Sequence, residues 1–181
     1  MNNISMHILD IVQNAISAKA TLIEIRINEN LKKNTFDVVI KDNGAGMDVE
    51  FLAHVTDPYI TTRTTRKVGL GIPLLKHNAE QANGYLKVNS EKGVGTSIQA
   101  TFKHDHIDRP PLGDCTGTIV LLAAANPEID FKYVHSVNDK KYIFNTAEIK
   151  KLLEDVQINN PKIRGMLKEM INENLKEIYV V

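Results

Sequence analysis

The chain has 181 residues, of which 43% are hydrophobic and 24% charged, a balance that allows a buried core and excludes a disordered or collagen-like chain. Its 22 lysines and arginines equal its 22 aspartates and glutamates, so no net charge attracts nucleic acid or an anionic membrane. A single cysteine excludes an intramolecular disulfide and a multi-cysteine zinc site. With no long apolar run and no signal-peptide pattern, we expect a soluble cytoplasmic protein that binds neither nucleic acid nor membrane.

Helical and strand patterns alternate through the first 103 residues. The predicted elements are a helix over 4–18, strands over 22–28 and 36–41, a short helix near 49–55, a helix over 69–82, and strands over 85–89 and 97–102. Each strand offers one apolar face. We therefore predict an α+β fold, a two-layer α/β sandwich in which helices cover one face of a mixed, mostly antiparallel sheet.

The remaining residues predict a small α/β extension. A segment rich in Pro and Gly follows residue 104, so we divide the chain into a domain over 1–104 and an extension over 105–181 of unknown role. The apolar run 118–125 and two later segments predict three short strands, and Asn145 and Asn160 predict the starts of two helices. The last helix has an apolar stripe for its own subdomain or for a protein partner. The oligomeric state is left open.

Polar residues on the first helix are the first candidate site. Asp10 and Asn14 lie four residues apart, so a carboxylate and a carboxamide project side by side. A carboxamide oxygen can ligate magnesium while phosphate oxygens and water complete its shell, and a carboxylate can orient or deprotonate water. Taken alone, the pair also fits an ordinary exposed helix face.

Two glycine-bearing segments are further candidates. Asp42 follows a strand and can accept a hydrogen bond from an amino group such as that of adenine, while Gly44 and Gly46 permit close backbone approach. In isolation, an ordinary Asp-Asn-Gly turn is the favoured interpretation of this segment. The loop 57–71 is rich in Thr and Arg and opens a helix at its glycines, which favours anion binding, although a solvated loop explains it as well. No GxxxxGK[ST] motif is present, so an ordinary P-loop is excluded.

Together these elements resemble the GHKL ATPase superfamily, which comprises gyrase, the large heat-shock chaperone, histidine kinases and MutL. LDIVQNAISAKATLIEI (9–25) and VVIKDNGAGM (38–47) are similar to its N and G1 boxes, and the segment 57–102 is similar to the lid, G2 box and closing strands of histidine kinases. The resemblance covers residues 1 to about 103. It implies ATP and Mg²⁺ as ligands, Asp10 as the residue that activates water, Asn14 as the metal ligand, Asp42 at the adenine amino group and Thr96 at adenine through water. The nucleotide-binding positions it implies are Asn14, Asp42, Gly44, Gly46, Met47, Thr62, Arg63, Gly69, Leu70, Gly71 and Thr96.

We therefore expect a protein that binds MgATP and closes the 57–71 lid, with slow hydrolysis or a nucleotide-driven conformational switch. Asp10 stands where hydrolytic members of the superfamily have glutamate, so hydrolysis is expected to be slow or absent. One alternative is a kinase that acts in trans on the His or Ser of another protein in signal transduction. A second is a non-catalytic adaptor with a vestigial pocket.

The histidines need a separate assignment. Because only residues 1–3 precede the core, we expect no dimerising hairpin and no self-phosphorylation of the usual kind. His104 and His106 are expected to be solvated histidines of a linker rather than a phosphoacceptor or a metal site, since Pro110 and Pro111 disfavour a long helix. His7 is expected to be a hydrogen-bond partner near Asp10.

Overall fold

The protein is described here by a computed structural model that covers residues 3–57, 70–154 and 156–180. Its elements are α1 (Ile4–Ser17), β1 (Leu22–Asn30), β2 (Thr35–Asp42), α2 (Val49–His54), α3 (Gly71–Gln81), β3 (Tyr85–Glu91), β4 (Gly95–Lys103), α4 (Cys115–Ala125), β5 (Asp130–Val137), β6 (Lys140–Asn145), α5 (Thr146–Leu153) and α6 (Pro161–Tyr179). The helices and strands predicted for the first 103 residues are confirmed to within two residues. Among the helices of the described part, none has the length and apolar character needed to cross a membrane.

The strands form one six-stranded sheet in the order β3-β4-β2-β1-β5-β6. β1 pairs in parallel with β5, and every other neighbouring pair is antiparallel. Alternation along β1 buries Ile23, Ile25 and Ile27 on one face, where the helices pack. The predicted fold class, an α+β sandwich with a mixed, mostly antiparallel sheet, is confirmed.

The helices cross the buried face of the sheet side by side. α1 packs against α3 on one side and against α4 on the other, and α4 in turn packs against α6. The apolar side of α1, which includes Ile4, Ile8 and Val12, is fully buried against the sheet. This position leaves the polar stripe of α1 at the surface that borders α3.

The strand predicted for residues 118–125 is wrong, because these residues belong to α4. Asp114 caps this helix, since its Oδ1 accepts a hydrogen bond of 2.8 Å from the amide of Gly117. α4 is enclosed by α1, α6 and β5, so apolar residues lie around most of its circumference. A continuous apolar run of this length carries no periodicity that distinguishes a buried helix from a buried strand.

The residues after 104 join the first part of the chain through backbone contacts. β5 extends the sheet by pairing with β1 from Leu22 opposite Asp130 to Glu29 opposite Val137. The carbonyls of Pro111 and Leu112 each accept a hydrogen bond of 2.9 Å from an amide in the first turn of α1. The division after residue 104 stays a prediction, while these contacts place both parts in one sheet and one helix layer.

A polar network that is buried at Glu29, Tyr133 and His135 lies at the end of β1. We call it the Glu29 network: Glu29, His104, Tyr133, His135 and Tyr179. The Glu29 carboxylate accepts hydrogen bonds from His104 at 2.7 Å, from His135 at 2.9 Å and from the hydroxyl of Tyr179. The Tyr133 hydroxyl lies 2.8 Å from the other ring nitrogen of His135. The expectation of a solvated His104 is therefore wrong, because its ring contacts a carboxylate supplied by β1.

Candidate functional site

α1 supplies Asp10 and Asn14, and the residue directly before the helix caps its start. The side chain of Asn3 caps the helix by accepting a hydrogen bond of 3.0 Å from the amide of Met6. Both Asp10 and Asn14 are half-buried, in contrast to the fully buried apolar side of the same helix. The predicted pair therefore borders the core at its surface, where a ligand can reach it.

Gly71 begins α3 directly against the carboxylate of Asp10. A Cβ added to Gly71 would lie 1.8 Å from Asp10 Oδ2, so only glycine leaves this carboxylate in place. The preceding Leu70 has no side-chain acceptor and makes no cap. The amides of the first turn of α3 thus lie beside Asp10, and such a helix start binds anions.

Asp42 ends β2 next to Thr96 of β4, its partner in the sheet. Asp42 Oδ1 accepts a hydrogen bond of 2.8 Å from the amide of Gly44, and the amide of Thr96 also donates to this carboxylate. Burial raises the pKa of Asp42, and these two hydrogen bonds act in the opposite direction. The side chain is half-buried, so it can accept a hydrogen bond from a ligand amino group.

Ser90 contacts two residues of the candidate site, Met47 and Thr96, and the sequence analysis did not name it. Its hydroxyl accepts a hydrogen bond of 2.9 Å from the amide of Met47, donates to the carbonyl of Gly95 at 3.0 Å and lies 2.8 Å from the hydroxyl of Thr96. Because the one proton of Ser90 goes to Gly95, Thr96 donates to Ser90 and keeps its own lone pairs for another donor. The pairing of β3 with β4 brings Ser90 here, and no local motif marks it.

Gly46 brings its turn close to the turn that joins β3 to β4. Its φ is +66°, and a Cβ there would lie 2.0 Å from the carbonyl oxygen of Glu91. The predicted role of Gly46 in close backbone approach therefore has a local structural cause: the turn contacts another backbone segment. Approach to a ligand stays a prediction.

α1 joins the two ends of the site. The carbonyl of Ala18, just beyond the helix, accepts a hydrogen bond of 2.8 Å from the amide of Ala45, and Gly44 packs against the same residue. At 1.5 Å per residue, the contact at Ala18 and the contact of Asp10 with Gly71 are about 12 Å apart along the helix. This arrangement suits an elongated ligand with a polar group at each end.

Three predicted residues, Thr62, Arg63 and Gly69, lie outside the described residues. The other predicted positions fall into two groups that α1 connects. One group is Asp10, Leu70 and Gly71, and the other is Asp42, Gly44, Gly46, Met47 and Thr96. Asn14 lies on α1 between them, and its carbonyl accepts the amide hydrogen bond of Ala18 at 2.9 Å.

Behind Asp10, His7 contacts α3. His7 is 1% exposed, and its Nε2 lies 2.9 Å from Asn78 Nδ2. Burial lowers the pKa of His7 to about 4, while the nearby Asp10 carboxylate acts to raise it. The prediction that His7 is a hydrogen-bond partner is confirmed, although the sequence did not identify Asn78.

Residues 3–106 match the family described as "Histidine kinase-, DNA gyrase B-, and HSP90-like ATPase". The chain belongs to this family. The match covers more than half of the chain and includes every residue assigned to the candidate site.

Curated relatives of the chain include sensor kinases. It is 33% identical over 98 residues to the sensor histidine kinase YvrG of Bacillus subtilis, a match that covers 52% of this chain and 17% of the kinase. It is 33% identical over 91 residues to the sensor protein kinase WalK of Staphylococcus haemolyticus, covering 48% of this chain and 15% of that protein. The chain therefore matches only about a sixth of the length of these relatives.

Solved structures of this fold extend the likeness beyond residue 106. The N-terminal domain of a DNA repair protein superposes with a TM-score of 0.61 at 18% identity, over 79% of this chain and 52% of that one. The Aquifex aeolicus MutL ATPase domain complexed with ADP superposes with a TM-score of 0.51 at 16% identity, over 94% of this chain and 70% of that one. At this identity the likeness shows a shared fold.

Proposed function

We propose that the chain binds MgATP along α1, with adenine at Asp42 and the phosphates at the start of α3. The observation that carries this proposal is the contact of α1 with Gly71 at Asp10 and with the Gly44 turn at Ala18. Family membership supports ATP as the ligand, since the matching family is one of ATPases. The fold neighbour from Aquifex aeolicus was solved with ADP, which agrees with a nucleotide site.

Each end of the site would recognise one part of the nucleotide. The Asp42 carboxylate would accept a hydrogen bond from the adenine amino group, and the hydroxyl of Thr96, which donates to Ser90, would accept one from water. Gly44, Gly46 and Met47 would form the turn against the base. At the other end, the amides that begin at Leu70 and Gly71 would bind phosphate.

The donor set fits a magnesium ion bound mainly by the nucleotide. Asn14 offers a neutral carboxamide oxygen, and Mg²⁺ is commonly held by one or two protein ligands together with phosphate oxygens and water. Among the described residues, no group of three or more His, Cys, Asp or Glu side chains is arranged to hold a metal ion by itself. When bound, the ion would neutralise phosphate charge.

Asp10 is the residue that we propose for water activation. Its carboxylate lies beside the first turn of α3, where the terminal phosphate would bind. Aspartate is one methylene shorter than glutamate, so we expect slow hydrolysis or a nucleotide-driven switch. Closure of the 57–71 segment belongs to this proposal on sequence grounds alone, because most of it lies outside the described residues.

Transfer of phosphate to another protein is the second candidate function. It is favoured by the 33% identity over 98 residues to the sensor histidine kinase YvrG. Radiolabelled ATP incubated with the protein and a lysate of its own cell would leave label on a separate polypeptide. Loss of this label with Asn14→Ala would assign the transfer to the site described here.

Two measurements on the purified chain test the main proposal. Isothermal titration calorimetry should detect ATP binding, and a phosphate-release assay should show slow release that Asp10→Asn abolishes. Equal rates of phosphate release from the wild-type chain and from Asp10→Asn would contradict the role of Asp10. Binding without release would favour a switch or a kinase, whereas no binding to a folded protein would overturn the proposal and favour the adaptor.

A further inference from the structure

His7 is a histidine at a core position that packing alone does not explain. It is 1% exposed, and its Nδ1 has no hydrogen-bond partner among the described residues. A leucine would occupy similar space without burying an unpaired nitrogen, so the histidine costs stability. What the imidazole provides instead is its other nitrogen, which meets Asn78 at 2.9 Å.

This contact joins the same two helices that form the phosphate end of the candidate site. His7 precedes Asp10 by about one turn of α1, and Asn78 follows Gly71 by about two turns of α3. At the site itself, Gly71 has no side chain that could bond to Asp10. The hydrogen bond between His7 and Asn78 is a polar contact that holds α3 against α1.

The hydrogen-bond chemistry of the pair is defined by the donors present. As placed, Asn78 Nδ2 carries two protons and donates, so Nε2 of a neutral His7 accepts and Nδ1 carries the proton. A carboxamide at position 7 could preserve such a contact, whereas an alkyl side chain could not. Comparing these two kinds of substitution therefore distinguishes loss of the hydrogen bond from a change in packing.

We propose that His7 and Asn78 form a positioning pair that holds the first turn of α3 against Asp10 and thereby sets the preference of the chain for ATP over ADP. The inference rests on the proposed function, in which Asp42 binds adenine and α3 binds the phosphates. A shift of α3 would weaken contacts to the terminal phosphate, which ADP lacks. It would leave the adenine contacts of Asp42 intact.

The test compares the dissociation constants of ATP and ADP by calorimetry in the whole chain. His7→Leu and Asn78→Leu should each lower the ratio of ATP affinity to ADP affinity by about threefold to tenfold, the worth of one hydrogen bond. ADP affinity should stay within about twofold of wild type. His77→Leu, on the exposed side of the same helix, is the matched control and should keep the wild-type ratio.

Two further variants guard against a trivial loss of structure. His7→Gln should restore part of the ATP preference because its carboxamide can bond to Asn78. The double variant His7→Leu with Asn78→Leu replaces both partners by apolar groups, so it should fold without an unpaired buried group and lose no more preference than either single variant. Thermal unfolding by circular dichroism verifies the fold of each protein.

The outcomes separate this inference from the proposed function. A wild-type chain that prefers ATP, together with folded leucine variants that keep this preference, would overturn the positioning role and leave the proposed function standing. An equal loss of ATP and ADP affinity would also overturn it, because damage would then extend to the adenine end. A wild-type chain that binds neither nucleotide would overturn both.

Discussion

The carboxylate of Asp10 occupies the space in which any residue other than glycine at position 71 would place its Cβ. This relationship ties a residue of α1 to the first residue of α3, although 60 positions of sequence lie between them. It also means that position 71 cannot be altered without effect on Asp10, since a side chain at position 71 must displace the Asp10 carboxylate.

Gly71→Ala is expected to impair function more than stability. The added Cβ would meet the end of a side chain that can rotate away, and alanine favours a helix over glycine by about 1 kcal/mol, so the thermal midpoint should change little. Phosphate release should fall about tenfold or more as Asp10 moves, a loss of about 1.4 kcal/mol of transition-state stabilisation. Release rates and thermal unfolding measured on the same samples check both parts.

Gly165→Ala is the matched control for this substitution. Gly165 lies within α6 with nothing within 4 Å of an added Cβ, so alanine should stabilise the chain by about 0.5–1 kcal/mol and leave phosphate release unchanged. If Gly71→Ala instead unfolded the chain while keeping its release rate per folded molecule, the contact with Asp10 would be structural only.

Asp42→Asn tests whether the Asp42 end of the site binds the adenine base. Loss of a charged acceptor should weaken ATP binding by about tenfold or more, since hydrogen bonds to charged groups contribute about 1.5–3 kcal/mol. Binding of inorganic tripolyphosphate, which has no base, should stay at the wild-type level. Calorimetry with both ligands measures the two effects, and equal losses would refute the assignment of Asp42 to adenine.

The Glu29 network gives a pH dependence of stability. Burial would raise the pKa of Glu29, but hydrogen bonds from His135, Tyr179 and His104 outweigh it and lower the pKa from 4.5 to about 2. A carboxyl with a depressed folded-state pKa stabilises the fold above its unfolded pKa and loses that contribution as pH falls. The contribution, about 3 kcal/mol, is therefore present at pH 7 and lost progressively between about pH 5 and pH 2.

Glu29→Gln isolates this contribution from that of other carboxyl groups. At pH 7 the variant should unfold at lower urea concentration than wild type, because a carboxamide cannot replace the ionised acceptor of three donors. The gap between the two proteins should narrow as the pH falls toward 3. A gap that stayed constant from pH 7 to pH 3 would show that Glu29 does not titrate in this way.

Local patterns predicted the half-buried elements well, and the reason is physical. β1 and β2 have one face in the core and one toward solvent, so apolar and polar residues alternate at the strand period. α1 likewise has one buried side, and its polar stripe carries Asp10 and Asn14. α4 is buried on most sides, so its sequence shows no helical alternation of apolar and polar residues. This is why it was predicted as a strand.

Contacts between distant residues were beyond local patterns. Glu29 meets His135 across 106 positions because β1 and β5 pair in parallel, and parallel register leaves no turn signature between the strands. Ser90 entered the site through the register of β3 on β4. Asp42 and Gly71, by contrast, were identified through the resemblance to a family, since each alone looks like an ordinary turn or helix start.

Cys115 offers a probe of how firmly the residues after 104 are packed on the first part of the chain. It is the only cysteine, it is 2% exposed, and burial raises the pKa of its thiol to about 12. At pH 8 the folded chain should react with a disulfide reagent such as DTNB far more slowly than the chain unfolded in urea, because the thiolate is the reactive form.

Tyr179→Phe should speed this labelling by about twofold to tenfold. The substitution removes a hydroxyl that donates a hydrogen bond to Glu29 and lies 3.0 Å from His135 Nε2. Its loss should weaken the attachment of α6 to the sheet. Tyr85→Phe is the matched control, because Tyr85 is an exposed tyrosine of β3, a strand that β4 and β2 separate from β1 in the sheet. Rates followed at 412 nm would give the ratio directly. Native labelling as fast as that in urea would show that α4 opens freely, and equal rates for Tyr179→Phe and Tyr85→Phe would show that the Tyr179 hydroxyl does not hold this region closed.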